Sequence, residues 1–144
     1  MTVQLSPYLT FDGNAREAVD FYASVFGVTP EVSTFDSVGP VDDPEQAKKV
    51  MHSQLVMEGV GTLMASDTAP GMPPAVSSSV ALFGEQADSE RLHAWFTALS
   101  DGARDVMAIE TAPWGDEFGM LTDRFGTVWM VNVTGAAAGA GAPA

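Results

Sequence analysis

Cysteine is absent from the 144 residues, which excludes a disulfide framework, a thiol nucleophile and any Cys-ligated metal. Basic side chains are scarce: six Lys and Arg stand against nineteen Asp and Glu, a formal net charge of −13. Phosphate backbones are bound by clustered cations that release counterions, so this balance predicts no nucleic-acid partner and no anionic membrane partner. The acidic surplus is read as serving solubility, with attraction of a cationic ligand as the alternative. No apolar run approaches the ~20 residues of a membrane span. The start, Met1-Thr-Val-Gln-Leu-Ser6, carries neither the basic nor the apolar region of a secretory signal, which predicts a cytoplasmic protein. Also missing are Gly-x-Gly-x-x-Gly, Gly-x-Ser-x-Gly, His-Glu-x-x-His and a phosphate-binding loop. Their absence removes nucleotide-cofactor, serine-hydrolase and zinc-protease readings.

What is present is a globular balance, with 46% hydrophobic and 17% charged residues, enough apolar material to collapse. The length fits one domain, expected over residues 1–134. The remaining Gly/Ala-rich residues 135–144 have nothing large to bury and read as a flexible tail. Two segments carry helical spacing. In Asn14 to Phe26 the apolar positions Ala15, Ala18, Val19, Tyr22, Val25 and Phe26 recur every three or four residues, with Asn14 as N-cap and Gly27 as stop. In Asp88 to Leu99 the same spacing joins Leu92, Trp95, Phe96 and Leu99, and Gly102 follows. Strands are expected over Val3 to Phe11, Thr29 to Phe35, Met51 to Glu58, Thr62 to Ser66, Val76 to Phe83, Val106 to Glu110, Phe118 to Thr122 and Thr127 to Val133. Pro7 weakens the first and Pro30 the second. Gly39 to Glu45 and Thr68 to Pro74 read as loops.

The two stretches repeat each other. Gly61-Thr-Leu-Met matches Gly126-Thr-Val-Trp, a register that sets His52 opposite Glu117, Leu55 opposite Met120 and Val56 opposite Leu121. The helices match through Val19 and Leu92, Tyr22 and Trp95, Phe26 and Leu99. The fold class is therefore α+β, built from two βαβββ halves at about 1–68 and 75–134.

Five collinear blocks carry a resemblance: Pro7-Tyr-Leu-Thr-Phe-Asp-Gly-Asn-Ala through Gly27, Met51-His-Ser-Gln-Leu55, Met64-Ala-Ser-Asp67, Trp114-Gly-x-x-Phe-Gly-Met-Leu-Thr-Asp123, and Phe125-Gly126 with Trp129-Met-Val-Asn132. The chain resembles the PhnB-like branch of the vicinal oxygen chelate superfamily, which includes glyoxalase I, extradiol dioxygenases and bleomycin-resistance proteins. The resemblance implies a curved mixed sheet from each half, a cavity between sheets and a homodimer. The methyltransferase label sometimes given to this branch finds no nucleotide-type cofactor site here. In metal-dependent relatives four strands each supply a His, Gln or Glu. The matching places here fall near Ser6 or Pro7, Ala65 or Ser66, Ser79 and Met130, none a first-choice ligand for a hard cation.

The expectation is thus a protein that binds a small, partly apolar molecule with no cofactor or catalytic metal. The alternatives are a glyoxalase-type lyase or isomerase, with a displaced divalent ion on His52 and Glu117 or a metal-free acid–base reaction through His52 and Asp67 as its catalytic pair, and a domain that mainly dimerises. His52 can act as acid, base or ligand, or be a strand histidine satisfied by a carbonyl. Asp67 can orient His52 or cap a turn. His93 is expected to face solvent. Tyr8, Ser66, Ser79, Trp114, Phe118, Trp129 and Met130 are the expected ligand contacts, supplemented by Asn132 and adaptable methionines.

Overall fold

A computed structural model describes residues 3–37 and 39–135. The chain divides into two compact units, Met1–Val76 and Ser77–Ala144. The expected Gly/Ala tail lies outside the described residues apart from Gly135.

The first unit runs β1 (Tyr8–Phe11), α1 (Ala15–Phe26), β2 (Glu31–Thr34), α2 (Pro44–Ala47), β3 (Val50–Met57) and β4 (Gly61–Asp67). Its four strands lie in the order β1-β4-β3-β2. The β1–β4 pair is parallel and the others antiparallel. The second unit repeats this with β5 (Ser79–Gly84), α3 (Ser89–Leu99), β6 (Arg104–Thr111), β7 (Glu117–Thr122) and β8 (Val128–Val133), in the order β5-β8-β7-β6. Two mixed four-stranded sheets with few helices are the expected α+β architecture. Among the described residues no helix is long and apolar enough to cross a membrane.

Helices α1 and α3 each cover one face of their own sheet. Ala15, Ala18, Val19, Tyr22, Ala23 and Phe26 form the buried stripe of α1, which packs on β3 and β4. Leu92, Phe96 and Leu99 do the same from α3 onto β5 and β8. Burying such a side chain removes it from water at a gain of about 1.5–3 kcal/mol. Gly27 ends α1 in the left-handed region, φ 69°, where an L side chain is strained.

Four sequence expectations need correction. The first strand begins at Tyr8 rather than Val3, because Pro7 has no amide hydrogen for the ladder and residues 3–5 are exposed. Asn14 stands at the N-cap without a side-chain bond to α1. The expected loop at Gly39 to Glu45 contains the start of α2, since Asp43 accepts the Glu45 amide at 3.0 Å and Pro44 opens the turn. The repeat is also slipped by one residue along the β3–β4 and β7–β8 hairpins. Leu55 pairs with Leu63 as Leu121 pairs with Trp129, so Leu55 corresponds to Leu121 and His52 to Phe118, not to Glu117. The matching glycines play different parts: Gly126 turns the chain at φ 91°, whereas Gly61 opens a strand at φ 156°. A slip of one residue exchanges sheet faces, so it changes every assignment built on it.

Candidate functional site

Cross-strand register decides which side chains share a face, because partners directly opposite point the same way. In the first sheet, Leu9, Phe11, Ser53, Leu55, Leu63 and Ala65 lie under α1 and are buried. The opposite, open face carries Tyr8, Thr10, His52, Gln54, Met64 and Ser66. On it the Tyr8 hydroxyl lies 3.3 Å from His52 Nδ1, with ring centroids 5.9 Å apart. Tyr8 belongs to β1 and His52 to β3, so the contact spans the intervening β4. A phenol and an imidazole in contact can pass a proton or grip an oxygen, and the imidazole tautomer sets which donates. Beside them Gln54 donates to Glu31 at 2.8 Å.

Asp67 does not join this pair. It is 2% exposed. Its Oδ1 accepts the amides of Gly13 (2.8 Å) and Ala15 (3.0 Å), and its Oδ2 that of Val50 (3.0 Å). The carboxylate thus supplies the α1 cap that Asn14 does not, which is a structural duty.

The open face of the second sheet is apolar. Ser79, Phe118, Met120, Met130 and Asn132 share it. Met107 of β6 is opposite Met120, and Glu110 is opposite Phe118. Phe118 and Met120 are two apart on one face, yet their partners are three apart, so an extra residue is accommodated between Met107 and Glu110. This bulge turns Glu110 onto the same face as Met107. Opposite the bulge stands Gly119, where a Cβ would come within 2.6 Å of Ile109 Cγ1 and 3.0 Å of the Ile109 backbone. Met107, Glu110, Trp114 and Phe118 help to line a cleft of about 440 Å³.

Trp114 is 46% exposed at this cleft. Its turn is closed by the Gly115 amide donating to Ala112 O (2.9 Å) and the Ala112 amide donating to Asp116 O (2.6 Å). Asp116 itself is buried and accepts from the Gly135 amide (2.9 Å) and the Asn132 side chain (3.2 Å). The Gly135 bond holds its carboxyl below the usual range, with Asn132 and Trp114 also bonding it, against the opposing pull of burial. One buried carboxylate thereby anchors both Trp114 and Asn132. Trp129, expected among the ligand contacts, is 1% exposed on the helix side, its indole donating to Asp123 at 2.8 Å. It is core.

The residues do not fit a divalent ion. The matching strand places hold Ser, Ala, Pro and Met, none of them hard-cation ligands of choice. Glu117, the fallback ligand, faces α3 and pairs with His93 Nε2 at 3.0 Å. His93 is therefore half-buried and paired rather than a free solvent-facing residue. Among the described residues no three His, Cys, Asp or Glu side chains cluster. Asp116, Asp123, Glu110 and the His93–Glu117 pair escape sequence reasoning. The acid in the otherwise apolar run Val106 to Ile109-Glu110 and the Pro-Trp-Gly-Asp turn are the signals that point to the cleft.

Comparison with known proteins adds the lineage. The family model described as 3-demethylubiquinone-9 3-methyltransferase matches residues 3–132. Protein YjdN of Escherichia coli is 30% identical, over 90% of this chain and 94% of that protein. The structure of PA1353 from Pseudomonas aeruginosa is 38% identical, with TM-score 0.74 over 93% of this chain and 99% of that one. A PhnB protein from Bacillus cereus, itself called a putative 3-demethylubiquinone-9 3-methyltransferase, has 24% identity and TM-score 0.62 over 92% and 100%. The bleomycin resistance determinant encoded on transposon Tn5, at 18% identity and TM-score 0.53 over 92% and 98%, shares the fold.

Proposed function

The chain belongs to the PhnB-like family of the vicinal oxygen chelate superfamily, the family that carries the 3-demethylubiquinone-9 3-methyltransferase description, and on that premise we propose that it binds a small, partly apolar molecule without a catalytic metal. The observation that carries this reading is the face of the second sheet away from α3, where the half-buried Phe118, Met120 and Met130 stand with the polar Ser79 and Asn132 beside the Trp114 cleft. Apolar walls with a few polar groups are the usual make-up of a small-molecule site, and methionines adapt to differently shaped guests. Tyr8 and His52 supply a second, polar contact surface on the first sheet, while Ser66 of the same face is buried. The contact between Tyr8 and His52 also favours a second reading, a metal-free acid–base step on a carbonyl-bearing guest. The homodimer expected from the family belongs to the same proposal. It is supported by Phe83, 79% exposed on the β5 edge strand, and sedimentation equilibrium tests it.

Titration with quinoline, indole and benzaldehyde, followed by melting temperature and tryptophan fluorescence, tests binding. A ligand of the native state raises the melting temperature with concentration. Trp114→Ala is expected to weaken the best probe about tenfold, the loss of one aromatic stacking contact. Incubation with a chelator is expected to change neither reading. A melting temperature that no probe moves would overturn the proposal in favour of a dimerisation module, and loss of binding on chelation would overturn its metal-free part.

A further inference from the structure

Among the described residues, the cleft beside Trp114 has one ionisable side chain in its wall, Glu110, and no basic one. A carboxylate in that place is not dictated by strand patterning. The neighbouring residues Val106, Met107, Ala108 and Ile109 are apolar, and a regular strand would set Met107 and Glu110 on opposite faces. The bulge reverses this, and Gly119 makes room for it by leaving out the Cβ that would collide with Ile109. Backbone irregularity and a bare glycine on the facing strand thus bring an acid next to Met107, Phe118 and Trp114. Buried Asp116, which is not among the described lining residues, closes the Trp114 turn with its backbone carbonyl and bonds the Trp114 side chain with its carboxylate. The described lining combines the aromatic rings of Trp114 and Phe118 and the thioether of Met107 with the carboxylate of Glu110, on a chain of net charge −13.

We propose that this cleft selects a flat aromatic cation, stacked on Trp114 with its positive charge facing Glu110. The inference rests on the binding reading above and names its ligand class. An aromatic face attracts a cation through the ring quadrupole, and a nearby carboxylate adds a Coulomb term that salt screens. A neutral guest of the same shape keeps the stacking and loses both charge contributions. An anion is repelled by Glu110 and by the surrounding acidic surface.

The test compares 1-methylquinolinium with neutral quinoline and anionic 2-naphthoate, each titrated against the full chain by tryptophan fluorescence and calorimetry. The cation is expected to bind about tenfold more tightly than quinoline, in keeping with a cation–π contact at a partly exposed site plus one charge pair. Glu110→Gln is expected to bring the ratio of the two affinities close to one. Glu45→Gln, which removes the same charge from an exposed residue of the other unit, is expected to keep the ratio. Raising the salt concentration should shrink it in the native chain. Equal binding of cation and neutral guest overturns this inference and leaves the binding reading standing, as does a preference that Glu45→Gln lowers as much as Glu110→Gln. Failure of all three probes to bind overturns both.

Discussion

Asp67 Oδ1 lies 3.0 Å from the amide nitrogen of Ala15, so the last residue of β4 caps the first turn of α1. Its other oxygen takes the amide of Val50 at the start of β3. A helix start and two strand ends, far apart in sequence, are thereby tied at one buried carboxylate.

Replacing that carboxylate should therefore cost stability before it costs function. Asp67→Ala leaves buried amides unpaired and is expected to destabilise the protein by about 3 kcal/mol, read from the urea midpoint. Asp67→Asn is expected to lose less, because one oxygen still accepts while its amide group opposes a backbone N–H. If Asp67→Ala kept full stability but abolished ligand binding, the residue would be part of the site after all.

At the cleft, sterics make the prediction. A methyl group at Gly119 would collide with Ile109, whose Cγ1 lies 2.6 Å and backbone 3.0 Å from the new Cβ. Backbone cannot swing aside as the tip of a side chain does, so Gly119→Ala is expected to cost about 2 kcal/mol through overpacking. It should also open the β6–β7 ladder, visible as faster amide exchange at Ala108 and Ile109. Unchanged exchange there would mean that the glycine does not support the bulge.

Acid should weaken the fold through two carboxylates. Asp12 is held below its ordinary 3.8 chiefly by the Thr68 hydroxyl and then by the Ala75 amide. Asp116 is lowered from the same value chiefly by the Gly135 amide. Below 3.8 the unfolded chain takes up protons that these folded groups still refuse, so their contribution is complete above that pH and is lost as pH falls through the lower folded values. Urea midpoints measured from about pH 6 down to about 2.5 should fall across that window. In Asp12→Asn the fall should be shallower, together with looser protection of the Thr68 to Ala75 segment. An equal slope in the variant would show that the Asp12 bonds contribute nothing to it.

Much of this protein is legible in the chain itself. The spacing of Val19, Tyr22 and Phe26, and of Leu92, Phe96 and Leu99, specifies both helices, because one buried stripe per helix is a local pattern. The duplicated order of strand, helix and three strands follows from those stripes and the turn glycines, and it leads to the family. Tertiary structure alone decides which face each strand residue occupies. The likeness of Gly61-Thr to Gly126-Thr misaligns the hairpins by one residue, and alternation then sends His52 and Glu117 to the wrong equivalence. Pro113 and Gly115 mark Trp114 as a turn residue in the chain itself, whereas only the fold shows that Trp129 donates to a buried carboxylate. The roles of Asp67, Asp116 and Glu110 depend on partners brought near by strand pairing and a bulge. Sequence spacing records a residue's own periodicity, whereas hydrogen-bond partners and sheet faces are set by register between segments that the chain separates.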